Sequence, residues 1–155
     1  KKAMMRLLYN IFIASNFVSK PYFQVLSTTK MVNLTLKYGN SSYAGVAFSA
    51  LAIMVAILRD MKTATQFAEK SLMVQKIINC KHTEPITFFQ SFFFVFVWTK
   101  PLQSCFMPCS EAYTSGIQSG NTKFASWIVT ILHVGLPFIF GAPLDTISFD
   151  IPFCV

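Results

Sequence analysis

Cys105 and Cys109 stand four residues apart, a spacing that puts both thiols on one face of a helix. Such a pair begins a zinc site only where two more ligands converge on it. The further candidates are Cys80, His82 and His133, and no Cys-x-x-Cys or His-x-x-x-His spacing joins them. The cysteines therefore read as buried structural thiols, and no metal is expected. His133 lies among Ile131, Leu132, Val134 and Leu136, where a buried proton carrier is conceivable. A core histidine bonded to a backbone carbonyl is the expectation. Glu84 and Glu111 are isolated carboxylates, and Asp145 and Asp150 flank a short amphipathic stretch. None of them pairs with a base or nucleophile, so general acid–base chemistry has no visible apparatus.

The motifs that carry phosphate chemistry are missing too. The chain has no Gly-x-x-x-x-Gly-Lys-Ser/Thr string to cradle a phosphate, and no His-Arg-Asp or Asp-Phe-Gly string of a protein kinase. A small stand-alone enzyme is set aside. No catalytic, cofactor-binding or metal-ligating residue is assigned, and no cofactor is expected. The Phe-rich run from Phe88 to Trp98 fits an aromatic docking site or a packed core, and core is the expectation at this aromatic density.

The elements that hold these residues are bounded by composition. The 155 residues are 54% hydrophobic and 12% charged, which excludes disorder and leaves a heavily buried array or a membrane protein. The net charge of +7 comes from thirteen Lys and Arg against six Asp and Glu, scattered singly beyond Lys1 and Lys2. A nucleic-acid surface would cluster its basic residues, so nucleic acid is not expected as a partner. The four cysteines are too sparse for a disulfide scaffold, and no signal-peptide pattern leads the chain. A reducing, cytoplasmic setting is the expectation. The opening on Lys1 and the close on Phe153, Cys154 and Val155 suggest a piece of a longer chain.

Helix-breaking junctions recur at Lys20-Pro21, Asp60-Met61, Lys100-Pro101 and Ala142-Pro143, spaced by 40, 40 and 42 residues. A second set, Gly39-Asn40, Cys80-Lys81 and Gly120-Asn121, interleaves at spacings of 41 and 40. Two turns per period imply two helices per repeat. The chain is thus expected to be all-α, a single segment 1–155 of antiparallel helix pairs with a period of about 41 residues. Turns are predicted near residues 20, 39, 60, 80, 100, 120 and 142. Pro108 is expected to break a helix begun at Leu102 near Phe106, and Pro137 to kink the chain around His133.

The segment Lys62–Ile78 is amphipathic: Ala64, Phe67, Ala68, Ser71, Leu72 and Ile78 fall at helical spacing, opposite Lys62, Gln66, Glu69, Lys70 and Lys76. The preceding helix carries Phe48, Leu51, Ala52, Val55 and Leu58 on one face and Val46, Ile53, Met54 and Ile57 on the other. A helix apolar all round is buried between neighbours or lies in lipid. Folding the chain back at Asp60 is expected to bring Phe48, Leu51 and Val55 against Ala64, Phe67 and Leu72, with the small residues allowing close approach.

The stretch Asp60–Leu72 resembles the second half of a tetratricopeptide repeat. Asp60, Ala64, Phe67, Lys70 and Leu72 match, while Met61, Ser71 and Arg59 stand where an aromatic residue, Ala and Gly are usual. The string from Lys30 to Ser49 resembles the TPR-like helical region of very large signalling ATPases. So do Lys100-Pro101-Leu102, Glu111–Gly116, Gly120–Ala125 and Gly141–Leu144. Those proteins join a serine/threonine-kinase-like domain, an AAA-type ATPase, a long helical repeat region and a carboxy-terminal sensor histidine kinase or similar output domain. The resemblance implies a non-catalytic α-solenoid segment that binds a protein or neighbouring domains of its own chain. The alternative is a small polytopic membrane protein with spans near 43–58 and 124–144, the second being 21 uncharged residues long.

Overall fold

The computed structural model describes residues 2–145 and residue 147. Seven helices, and no strand, make up the described residues. They are α1 (Lys2–Phe17), α2 (Pro21–Tyr38), α3 (Ala44–Ile57), α4 (Met61–Ile78), α5 (Glu84–Phe94), α6 (Phe106–Gln118) and α7 (Thr122–Ile139). Short 3-10 turns at Phe96–Trp98 and Leu102–Cys105 link α5 to α6. Asp150 and Cys154 lie outside the described residues.

Local chemistry accounts for the boundaries. Pro21 occupies the first turn of α2, where its missing N–H would be unpaired anyway. Asp60 caps α4, its Oδ1 accepting from the Thr63 N–H at 3.0 Å. The helix ends share one device: Ser19, Gly39, Arg59, Asn79, Gly120 and Gly141 all have positive φ. A left-handed residue there lets the following N–H close on the last carbonyls, as the Asn121 N–H after Gly120 does on Gly116 O at 2.9 Å. At residues 95–105 the left-handed stop is absent. Pro101 cannot donate, and the chain crosses in two 3-10 turns before α6 begins. Pro108 therefore sits in the first turn of α6 rather than breaking a helix begun at Leu102. In α7 the stretch Ile131–Gly135 widens into a π turn just before Pro137, which has no N–H to offer.

Successive helices fold back on one another through short turns, except between α5 and α6, where residues 95–105 make a longer connection. The pairs α1/α2, α3/α4 and α6/α7 pack most broadly, and α5 also touches α3, α4, α6 and α7. One continuous core runs through the array and includes the fully buried Met5, Met31, Ile86, Phe96 and Ile128. Burying a side chain of this size stabilises by about 1.5–3 kcal/mol.

The α3/α4 contact is built from small residues on both sides. Ala64, Ala68, Ser71 and Gln75 form the buried stripe of α4, and Ala44, Val46, Ala47, Ser49, Ala50 and Ala52 that of α3. Phe48, Leu51, Val55, Phe67 and Leu72 are half-buried and flank the same core, while Leu58 is 80% exposed. The expected opposition of large residues to small ones is thus replaced by small against small, with the large residues at the sides. Backbones that meet over alanines approach closely, and Gly45 shows how closely. A Cβ there would lie 2.8 Å from Gln75 Oε1 and 3.3 Å from Thr87 Oγ1.

Hydrogen bonds from buried side chains, to one another and to backbone carbonyls, fix the register of α3, α4 and α5. Ser49 Oγ donates to Gln90 Oε1 at 2.6 Å, and the Ser71 and Ser91 hydroxyls pair at 2.9 Å. Gln75 Nε2 donates to Cys80 O at 2.7 Å, and Thr83 Oγ1 to Ser42 O at 2.9 Å. Sliding one helix by a residue would strand these groups without partners, which costs about 1–3 kcal/mol for each.

Candidate functional site

The odd-numbered helices line a common cleft. Its wall runs from Ile13 and Phe17 on α1, through Ile53 and Ile57 on α3 and Phe89 and Phe94 on α5, to Phe124 and Trp127 on α7. The cleft encloses about 350 Å³ and continues past Ile57 and Phe94 into a hollow of about 290 Å³ that ends at Trp98. Ligand sites occupy roughly the same range, about 300–1,000 Å³.

Helix geometry places the lining. Ile13 and Phe17 on α1 and Ile53 and Ile57 on α3 are each four apart, as are Phe94 at the end of α5 and Trp98 in the 3-10 turn after it. Corresponding members of successive pairs follow at 40 and then 41 residues. The large side chains at Phe17, Ile57 and Trp98 are 54%, 74% and 76% exposed. Phe17 and Trp127 meet edge-on at 6.5 Å, and Trp127 meets Phe89 the same way at 5.3 Å, so the ends of α1 and α7 close one side. Lys123 Nζ sits 3.6 Å from the centre of the Phe17 ring, a cation–π contact at the rim. Asn16, Gln24 and Gln90 supply the polar groups, with Gln24 Nε2 donating to Asn16 Oδ1 at 3.2 Å. No carboxylate lines the cleft.

The residues singled out for chemistry are dispersed. Cys105 and Cys109 face a separate apolar cavity of about 40 Å³ between α5, α6 and α7. Burial pushes the Cys109 thiol up to about 12, with Cys105 beside it adding to the effect, and burial raises Cys105 as well. Both stay protonated at neutral pH and are poor nucleophiles or metal ligands. Cys80 and His82 line a different cleft beside the start of α1. Among the described residues no three His, Cys, Asp or Glu side chains gather as a metal site.

Two expectations fail. His133 is exposed on the π turn of α7, neither a core histidine nor a buried proton carrier. Its neighbours Ile131, Leu132 and Val134 are half-buried and Leu136 is buried, so His133 takes the solvent side of the turn. Glu84 is not isolated: its carboxylate accepts from the Ser115 hydroxyl and pairs with Lys81 at 3.3 Å. Glu111 and Asp145 are exposed.

The Phe-rich run divides between the two readings. Phe89, Phe92 and Phe96 are core, whereas Phe93, Phe94 and Trp98 are exposed, the last two on the cleft. Ile13, Phe17 and Trp127 escaped the sequence reading, and Ile57 was read only as part of the second apolar face of its helix. For Ile13, Phe17 and Ile57 the signal was an apolar pair four residues apart that recurs at the interval of the turns; Trp127 belongs to no such pair.

Among known proteins, comparison with family models, curated sequences and solved structures finds no match to this chain.

Proposed function

We propose that the chain is a non-catalytic, TPR-like α-solenoid segment of a cytoplasmic signalling ATPase or kinase, and that its cleft holds an apolar face of a protein partner or of a neighbouring domain. The observation that carries this reading is the set of apolar pairs, or rungs, Ile13/Phe17 on α1, Ile53/Ile57 on α3 and Phe94/Trp98 at the end of α5 and the 3-10 turn after it, spaced by 40 and then 41 residues along the cleft and its extension. Stacked helix pairs generate such a surface, because equivalent residues of each pair are aligned on the inner side of the superhelix. Support comes also from Ser49 with Gln90 and Ser42 with Thr83, hydrogen-bonded partners that are each 41 residues apart. The resemblance of Lys30–Ser49 and Asp60–Leu72 to the helical region of signalling ATPases supplies the parent.

Charge narrows the partner. The cleft has Lys123 at its rim and no carboxylate in its lining, on a chain of net charge +7. An apolar segment flanked by Asp or Glu complements it. The test is selection of peptides from a random library against the 155-residue chain, followed by affinity measurement on variants. Acidic peptides with large apolar anchors are expected, and Phe94→Ser with Trp127→Ser should weaken them at least about tenfold. Binders indifferent to both substitutions would remove the cleft from the function. A reading frame that continues into a P-loop ATPase domain would support the parent.

A membrane reading has one observation of its own. Thr122–Ile139 is long and apolar enough to cross a bilayer, with mean hydropathy 1.4 over a window only 22% buried. The other expected span contributes the 14-residue α3, too short for a hydrocarbon core and enclosed by α2, α4 and α5. Alkaline extraction of membranes from expressing cells separates the readings, since a solenoid segment is released and a spanning helix is retained.

A further inference from the structure

At the end of the array away from the rungs, two turns and the first turns of α1 enclose a second cleft of about 470 Å³. Lys2 and Arg6 project into it from successive turns of α1, and His82 from the α4–α5 turn. Ser41, Ser42 and Tyr43 of the α2–α3 turn complete the wall. The basic residues are four and 76 apart in sequence, so their scatter along the chain concealed a cluster that only folding makes.

The electrostatics at this place have one sign. No Asp or Glu lines the cleft, and the nearest in sequence, Glu84, directs its carboxylate to Ser115 and Lys81. Neither Lys2 nor Arg6 has an ion-pair partner at salt-bridge distance among the described residues. The N-terminus of the 14-residue α3 begins at Ala44, next to Tyr43 in the wall, and adds the positive end of its dipole. Guanidinium, ammonium, imidazole and hydroxyl groups around a cleft with no competing anion are the donors that hold a phosphoryl group, with Arg able to grip two of its oxygens at once. The Tyr43 ring, held against Tyr9 at 4.9 Å, gives the cleft an apolar wall beside those donors.

We propose that this cleft is a binding site for a small phosphate monoester, its phosphoryl group on Lys2, Arg6 and His82 and its organic part against Tyr43. The site is independent of the peptide cleft and stands whether or not that function holds.

Calorimetric titration of the 155-residue chain with phenyl phosphate, inorganic phosphate and phenol tests it. Phenyl phosphate is expected to saturate with a Kd of about 1 mM or tighter. Inorganic phosphate should bind more weakly and phenol not at all. Lys2→Gln with Arg6→Gln should weaken phenyl phosphate roughly tenfold or more, the effect of removing charge-assisted bonds. Lys30→Gln on the outside of α2 should leave it unchanged. All of these positions are exposed, so helicity by circular dichroism should match the parent chain. Absence of saturation, equal binding by phenol, or equal loss in Lys30→Gln would overturn the site.

Discussion

Arg59, between α3 and α4, occupies a backbone conformation that favours glycine. Its φ is +65°, in the left-handed region where a Cβ crowds the following carbonyl. Arg59→Gly should stabilise the chain by about 1 kcal/mol, the relief of that crowding less the greater unfolded-state freedom of glycine. Arg59→Val should do the reverse, and thermal melts followed by circular dichroism read both. The next residue carries a pH signature. Hydrogen bonding from Thr63 to its side chain holds Asp60 below its ordinary value of 3.8, with Lys62 adding to the effect. A depressed folded pKa means that the cap contributes above the unfolded value and is lost as pH falls through the folded one. Asp60→Ala should therefore melt at a lower temperature than the parent at neutral pH, and the difference should shrink below about pH 4. A gap that stays constant down to pH 2 would mean that Asp60 acts through something other than its charge. Asp60 was legible as a junction because a capping side chain is a local signal. His133 was not, because whether an apolar-all-round helix faces protein or solvent at one position depends on neighbours that the sequence does not order.

At the scale of elements, the turns were the most legible feature, since Gly39, Gly120, Pro21 and Pro101 act through their own backbone restrictions. Less legible was which face of α3 meets α4. Phe48, Leu51 and Val55 gave the stronger hydrophobic pattern, yet Ala47, Ala50 and Ser49 are the more deeply buried, because the closest backbone approach selects small side chains. Volume therefore decides stability at this contact. Ala64→Phe, at a position with 0% exposure, should overpack α3 against α4 and destabilise by about 1–3 kcal/mol. Gly116 tests the same physics between α6 and α7. A Cβ there would meet Ala125 Cβ at 2.9 Å and Pro85 Cγ at 3.1 Å, both on helices held from other sides. Gly116→Val should destabilise by a similar amount in chemical denaturation. Wild-type stability in either variant would show that these helices separate easily, contrary to a single packed array.

For the whole molecule, the question is whether the exposed apolar rungs serve binding or are merely the uncovered part of a core. Ile57 and Trp98 decide it, since they are 74% and 76% exposed and face the hollow that extends the cleft. Truncating a packed residue of this size removes about 3–5 kcal/mol for an aromatic and about 2–5 for isoleucine, because the lost contacts leave a cavity. A side chain already in water has little to lose, and substitutions at such sites stay within about 0.5 kcal/mol. Ile57→Ser with Trp98→Ser should therefore leave the denaturation midpoint nearly unchanged and reduce surface hydrophobicity. The same pair should weaken the selected acidic peptides at least about tenfold, since a few large anchors carry most interface energy. Stability and binding thus separate: a large loss of stability would place the rungs in the core, and unchanged affinity would place the partner elsewhere. Phe89, buried in the floor beneath Trp127, is the internal control, for Phe89→Ala should lower stability and binding together.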